Sequence, residues 1–346
     1  MKYSLCMWIA QRSVPISKSI LLASAPLPRP TEYDTPPGTS LDHDPIRADA
    51  FPMTPPPRPG ILGVLNVSPE SMVRESIATT PEEVLNRATA LLRAGADWID
   101  LGARSITPDA PMIDDASERA RLLPALELLK GARATNPEAD PTQGARRVSI
   151  DTWSPDTAMA ALEHGADAVN FTGGTVPDPL LDAIASVDAT LFLTFMPYEN
   201  AYAMRAAAPA ETGIGAILDD LGPKVEAARR AGIGSVVIDP NLGIIHPSTG
   251  DHEKIHRQLE IVWNLDALRE LGHPILLYAA RKPERLARIL LASAILHAGA
   301  DYVRTHTPEM IVRLGGFAST GKPEMSNASE AGPTGMPPTA LRSECS

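Results

Sequence analysis

The stretch Ala298-Gly-Ala-Asp-Tyr-Val-Arg304-Thr-His306 contains a whole structural unit. A helix ends at Ala298, Gly299 turns the chain, an apolar strand follows, and charged side chains emerge at the strand's far end. Glycine suits the turn because a helix commonly closes on a residue in the left-handed conformation. The same punctuation recurs at Ala94-Gly-Ala-Asp97 and His164-Gly-Ala-Asp167, with Ala231-Gly-Ile-Gly234 as a variant. Each closes a helix just before a strand, so the repeat reads as architecture and is assigned no chemistry.

Extending outward from these turns, short apolar runs alternate with Ala/Leu/Arg-rich segments at helical spacing. The expected strands are Ile61–Asn66, Trp98–Leu101, Val148–Asp151, Ala168–Asn170, Thr190–Phe195, Ser235–Asp239, Pro274–Tyr278 and Tyr302–Thr305. Glu82–Ala94, Glu118–Ala134, Lys224–Ala231 and a short Pro308–Leu314 are among the expected helices. Continuous apolar strands separated by amphipathic helices indicate a parallel sheet. Eight such units over about 250 residues predict an α/β fold, a (β/α)8 TIM barrel spanning residues 60–317. An open doubly wound sheet is the alternative, but its Gly-x-Gly-x-x-Gly turn is absent after Asn66. Residues 1–59 are proline-rich, ending in Pro55-Pro-Pro-Arg-Pro59, and read as a disordered tail. Residues 318–346, rich in Ser, Gly, Pro and Thr, read as a second disordered tail.

The composition narrows the functional classes. The 346-residue chain is 44% apolar, enough for a sizeable core, and carries a formal net charge of −11. That balance argues against a nucleic-acid partner or a polybasic membrane contact. The two cysteines, Cys6 and Cys345, lie in the tails, which fits a reducing, cytoplasmic location. No apolar run approaches the roughly 20 residues of a membrane helix. Lys2, Arg12 and Lys18 precede the first acid, Glu32, but an unstructured tail fits the N-terminus better than a transit peptide.

In a barrel of this kind the chemistry sits where the strands end. Those positions hold Asn66, Asp100, Asp151, Asn170, Asp239, Lys282, Arg304 and His306. Singly, each has a structural explanation. Asp151 precedes Thr152-Trp-Ser-Pro155, a helix-capping pattern, and Asp239-Pro240 could open a turn. Together on one rim they describe a pocket for a polar, anionic small molecule. Its carboxylates and amides suit a heterocycle with amino and lactam edges.

The same residues resemble the motifs of the dihydropteroate synthase family of pterin-binding enzymes. Gly63-Val-Leu-Asn66-Val-Ser-Pro69-Glu-Ser71 is similar to that family's opening motif, and Val148-Ser-Ile-Asp151-Thr152 to its third-strand motif. Gly165-Ala-Asp-Ala-Val-Asn170 resembles the fourth-strand motif, and Val237-Ile-Asp239-Pro240 with Gly243 the sixth. Arg281-Lys282 and Arg304-Thr-His306 resemble the last two. The resemblance covers about residues 60–310. It implies that Asp151, Asn170, Asp239 and Lys282 hydrogen-bond a pterin and that Arg304 stacks on its ring. Asn66, Arg304 and His306 would hold a pyrophosphate with Mg²⁺, making Asn66 the metal-side residue and Lys282, Arg304 and His306 the catalytic set. The implied reaction joins 6-hydroxymethyl-7,8-dihydropterin pyrophosphate to p-aminobenzoate or a related aryl amine. Cations and metal would stabilise the departing diphosphate, and carboxylates the pterin cation.

The loops depart from the family pattern more than the strands do. Where the family reads Glu-Ser-Thr-Arg-Pro-Gly, this chain has Arg104-Ser-Ile-Thr-Pro-Asp109, and Arg104 is expected to substitute as the anion contact. Thr194-Phe195, Phe171, Asn241 and Ile244 stand where the family has a Met-His pair, an Asp, a Gly and an aromatic residue. Three other readings remain: a noncatalytic pterin-binding paralogue, a pterin-dependent methyltransferase domain, and a zinc metalloprotease through His252-Glu253-Lys-Ile-His256. The last motif reads better as the solvated start of a helix. Family members commonly dimerise through the last helices, so a homodimer is expected, although the eighth helix is short here.

Overall fold

The computed structural model describes residues 57–71, 73–107, 110–135, 147–279 and 285–316, without the side chains of 132–135. The expected C-terminal tail, most of the N-terminal one, and Arg281 and Lys282 lie outside these residues.

The eight strands are β1 (Gly60–Asn66), β2 (Trp98–Gly102), β3 (Arg147–Thr152), β4 (Ala168–Phe171), β5 (Thr190–Thr194), β6 (Val236–Asp239), β7 (Leu276–Tyr278) and β8 (Tyr302–Thr305). They pair in parallel in the order β6-β5-β4-β3-β2-β1-β8-β7. At the remaining seam, Ile238 bridges Ile275 in parallel and its N–H donates to the Pro274 carbonyl at 2.9 Å. The result is a nearly closed barrel, and the seam excludes the open sheet.

Ten helices alternate with the strands among the described residues: α1 (Pro81–Arg93), α2 (Asp115–Thr135), α3 (Pro155–Glu163), α4 (Asp178–Ser186), α5 (Ala201–Ala206), α6 (Ile214–Arg230), α7 (Asp251–Trp263), α8 (Leu265–Arg269), α9 (Arg285–His297) and α10 (Pro308–Leu314). Local chemistry starts several of them. Thr80 and Glu83 form a capping box on α1, and Ser154 accepts the Thr157 N–H to open α3. Helix α6 begins at Ile214 instead of the expected Lys224 because Ile217, Leu221, Val225 and Ala228 form one buried stripe through Pro223. Burying that stripe outweighs the one backbone bond a proline forfeits.

The glycine repeat does what its spacing predicts. Gly95, Gly165, Gly232 and Gly299 have φ of +102°, +83°, +80° and +72°, a region in which a side chain is strained. The aspartate after three of them has a further use. Asp97 accepts the Ile61 N–H at 2.8 Å, Asp167 the Val148 N–H at 2.8 Å, and Asp301 the Ile275 N–H at 2.9 Å. Each carboxylate fastens the start of the neighbouring strand and so closes the barrel's N-terminal rim.

Inside the barrel, side chains alternate inward with a period of two. Leu62, Trp98, Ala168, Phe192, Val237 and Leu276 form a separate buried apolar cluster, with Tyr302 packed against it. Phe192 meets the Trp98 ring edge-on at 5.9 Å and the Tyr302 ring at 5.7 Å. This cluster is the floor of the barrel. Moving two residues along each of those strands gives Val64, Asp100, Asn170, Thr194, Asp239, Tyr278 and Arg304, so the floor positions the polar layer directly above it.

Candidate functional site

The polar layer opens into a cavity of about 480 Å³ at the C-terminal ends of the strands. Asn66, Arg104, Asp151, Asn170, Asp239, Arg304 and His306, all singled out in the sequence, line this one cavity. Lys282 falls outside the described residues.

Arg304 is the electrostatic hub. Its Nε donates to Asp100 Oδ2 at 2.5 Å and its Nη2 to Asp151 Oδ2 at 2.6 Å. The guanidinium carbon lies 5.4 Å from the Tyr278 ring centroid. Asp100 is fully buried and also receives the Asn170 Nδ2 at 3.4 Å from each oxygen, a long contact. Thr172 Oγ1 donates to the other oxygen of Asp151 at 3.3 Å.

Three carboxylates thus share one guanidinium in a desolvated space. Burial pushes Asp239 up to about 7; the Asn241 N–H and the Arg304 charge oppose that rise, and Asp151 and Asp100 add to it. Burial likewise lifts Asp151 to about 6, against the pull of Arg304 and with the push of Asp100. Arg304 moves further up still: burial opposes its charge, but Asp100, Asp151 and Tyr278 outweigh burial. Near neutrality the site therefore offers one carboxyl that exchanges its proton readily, beside acceptors held by a fixed cation. Such a set suits a ring edge presenting several N–H donors.

The walls are built from loops. Asn66 donates through Nδ2 to Ser76 Oγ at 2.7 Å, which leaves its amide oxygen available. Asn241, at φ +62°, donates its N–H to Asp239 at 2.7 Å and its Nδ2 to the Phe195 carbonyl at 2.9 Å. Arg104 is paired with Asp115 and, at 2.9 Å, with Glu118, and stacks 4.8 Å from the Trp153 centroid. Its side chain is 5% exposed, so its charge is already matched by two carboxylates. From α5, Arg205 donates to the Thr107 carbonyl at 2.6 Å and the Ala110 carbonyl at 3.2 Å, tying down the loop after β2.

The sequence places Asp100 on the rim without a role, and the fold makes it half of the Arg304 clamp. Its signal is the single charge within Trp98-Ile-Asp-Leu-Gly102. Trp153, Arg205 and Tyr278 give no signal, because their neighbours come from distant segments that only the fold brings together. His252, Glu253 and His256 lie exposed on the first turns of α7. No group of three or more His, Cys, Asp or Glu is arranged to hold a metal among the described residues. Nor is any helix among them long and apolar enough to cross a membrane.

Comparison with known proteins identifies the family and the fold. The profile of the family described as "Pterin binding enzyme" matches residues 62–306. The dihydropteroate synthase type-1 of Escherichia coli is 30% identical over 265 residues, covering 72% of this chain and 88% of that relative. Among solved structures, the dihydropteroate synthase of Thermus thermophilus in complex with 4-aminobenzoate superposes with a TM-score of 0.59 at 24% identity, covering 75% of this chain and 93% of that one. The Anaplasma phagocytophilum dihydropteroate synthase with bound 6-hydroxymethylpterin-monophosphate gives a TM-score of 0.60 at 22% identity, covering 75% and 97%. These two likenesses show the barrel fold.

Proposed function

This chain belongs to the pterin-binding enzyme family, and on that premise we propose that it is a cytoplasmic transferase of the dihydropteroate synthase type. It condenses 6-hydroxymethyl-7,8-dihydropterin pyrophosphate with p-aminobenzoate or a related aryl amine and releases pyrophosphate. The observation that carries the reading is the convergence of Asp151, Asn170, Asp239 and Arg304 around one cavity at the strand ends, with the fully buried Asp100 bonded to Arg304.

In this reading the pterin's amino and ring N–H groups lie against Asp151, Asn170 and Asp239, with Lys282 at its carbonyl edge. Arg304 packs on the ring from its seat between Asp100 and Asp151. As the amine nitrogen bonds to the exocyclic methylene carbon, the carbon–oxygen bond to diphosphate breaks, its electron pair leaves with the diphosphate, and the proton released from the amine nitrogen passes to solvent or to the departing diphosphate. The carboxylates stabilise the positive charge that develops on the pterin. Arg304 and His306 face the leaving group, and Arg104 flanks it from the loop after β2. The amide oxygen of Asn66 fits Mg²⁺, which binds through one or two protein oxygens together with substrate phosphates. Bound there, the metal would neutralise the diphosphate charge.

A homodimer belongs to the same proposal. Leu286 and Leu290 on α9 and Trp263 on α7 are 64%, 61% and 73% exposed, apolar side chains that a second copy could cover.

The ion pairs of Arg104 favour one other reading, a pterin binder without turnover, because the loop then offers no free cation to the diphosphate. An assay of the full chain with the pterin diphosphate and p-aminobenzoate, following pyrophosphate release and dihydropteroate by mass, separates the two. Turnover is the expected result. Pterin binding without product would replace the synthase reading by a noncatalytic one, and methyl transfer from a methylated folate by a methyltransferase.

A further inference from the structure

A second cavity, of about 260 Å³, lies behind the wall of the first. Met204, Ile244 and Ile245 line both, so one apolar partition separates them. The second cavity contains a buried cation. Arg257 of α7 is 8% exposed and forms no ion pair among the described residues. Its Nη2 donates to the Asn241 carbonyl at 3.3 Å, while its Nε is buried without a hydrogen-bond partner. Burial pushes its pKa down, against the attraction of Tyr198 and Glu260.

A guanidinium does not escape burial by losing its proton, so its desolvation calls for an anion within reach. The walls narrow the choice of anion. Glu253 and Glu260 also line the cavity and would repel a multiply charged guest. A single carboxylate would be offset by Arg257 alone, and the Met196–Ile245 side suits a carbon skeleton. Glu253 and His256, which the sequence presents as part of a metal motif, instead belong to this cavity.

We infer that this cavity binds a small organic monocarboxylate, with the acid group on the fork of Arg257 and its hydrocarbon body against Met196 and Ile245. This goes beyond the pterin site, yet the two are linked. Arg257 holds the Asn241 carbonyl, and the Asn241 N–H holds Asp239. Two sources share the chemistry, the carboxylate of the aryl amine acceptor and a separate small acid.

Calorimetric titration of the full chain with cyclohexanecarboxylate tests the site, with cyclohexanemethanol as the neutral control. The acid should bind and the alcohol should not. Arg257→Gln should weaken the acid at least about tenfold, the loss of a charge-assisted pair. Thr212→Trp, which fills the cavity while keeping Arg257, should abolish binding even if Arg257→Gln fails to fold. Equal affinity for acid and alcohol, no binding by the unmodified chain, or unchanged binding in either folded variant would overturn the inference. Displacement by saturating p-aminobenzoate would assign the cavity to the acceptor's carboxylate, and undiminished binding to a separate acid. No turnover is measured, so failure of the synthase reading and failure of this site give different results.

Discussion

Aspartates at the two ends of this barrel meet opposite fates. At the N-terminal rim, Asp97, Asp167 and Asp301 each accept a backbone N–H from the adjoining strand. Two of them also hold a surface cation, Arg58 at 2.9 Å and Lys130 at 2.7 Å. At the C-terminal end, Asp100, Asp151 and Asp239 crowd around one guanidinium, and burial raises the last two toward neutrality. The first set is satisfied by the fold, whereas the second is held in a costly arrangement that a ligand would relieve. One residue type can thus serve stability or binding, depending on which donors the backbone presents to it.

The largest break in this comparison should come from Arg304→Ala. It strands the fully buried Asp100, and removing one member of a buried pair costs about 3–5 kcal/mol. Urea unfolding should show that loss, and adding Asp100→Asn should restore part of it. An unshifted midpoint in Arg304→Ala would mean that the two ends do not differ in kind.

pH should come next. Asp151 and Asp239, raised to about 6 and about 7, keep protons that the unfolded chain has already released above its ordinary carboxylate range. The unfolded state then binds fewer protons, so stability falls as pH rises from about 4, with the Asp151 contribution lost by about pH 6 and that of Asp239 by about pH 7. Pterin affinity should run the other way, rising between pH 5 and 8 as both groups become full acceptors. Asp239→Asn should flatten the upper part of both curves, as titration of 6-hydroxymethylpterin and urea unfolding at several pH values would record.

Asp167→Ala probes the opposite rim. It leaves the Val148 N–H without its carboxylate and should cost about 1–3 kcal/mol of stability. Pterin affinity measured on the folded variant should stay unchanged, and a shift would break the separation of roles. The smallest effect belongs to Arg205→Gln, which loosens the loop after β2 without touching the polar layer. KM for the aryl amine should rise about tenfold, the worth of one or two charge-assisted bonds, with pterin affinity constant. An equal drop in pterin affinity would place Arg205 in the wrong half of the site.

Much of the architecture is legible in the order of residues alone. Apolar runs punctuated by Gly-Ala-Asp announce strands because glycine alone turns easily through positive φ, and Asp151, Asn170, Asp239 and Arg304 stand out where such runs end. Less legible are contacts between segments distant along the chain. Asp100 and Arg304 are separated by 204 residues and Asp151 and Arg304 by 153, so no local pattern announces either pair. The Arg104 pairing is hidden for a related reason, since Asp115 and Glu118 belong to the next helix and could equally have faced solvent.

The sequence by itself determined the alternation of strand and helix, the glycine turns, and which positions fall at the strand ends. All of these follow from short-range periodicity and backbone sterics. Only the tertiary structure decided that the sheet closes at Ile238 and Ile275, that an aromatic floor lifts the polar layer into one cavity, that Arg304 lines it half-buried, and that Arg257 sits buried beside it. Those outcomes depend on the stagger and closure of eight strands, and a charge acquires its partner and its desolvation only when they close.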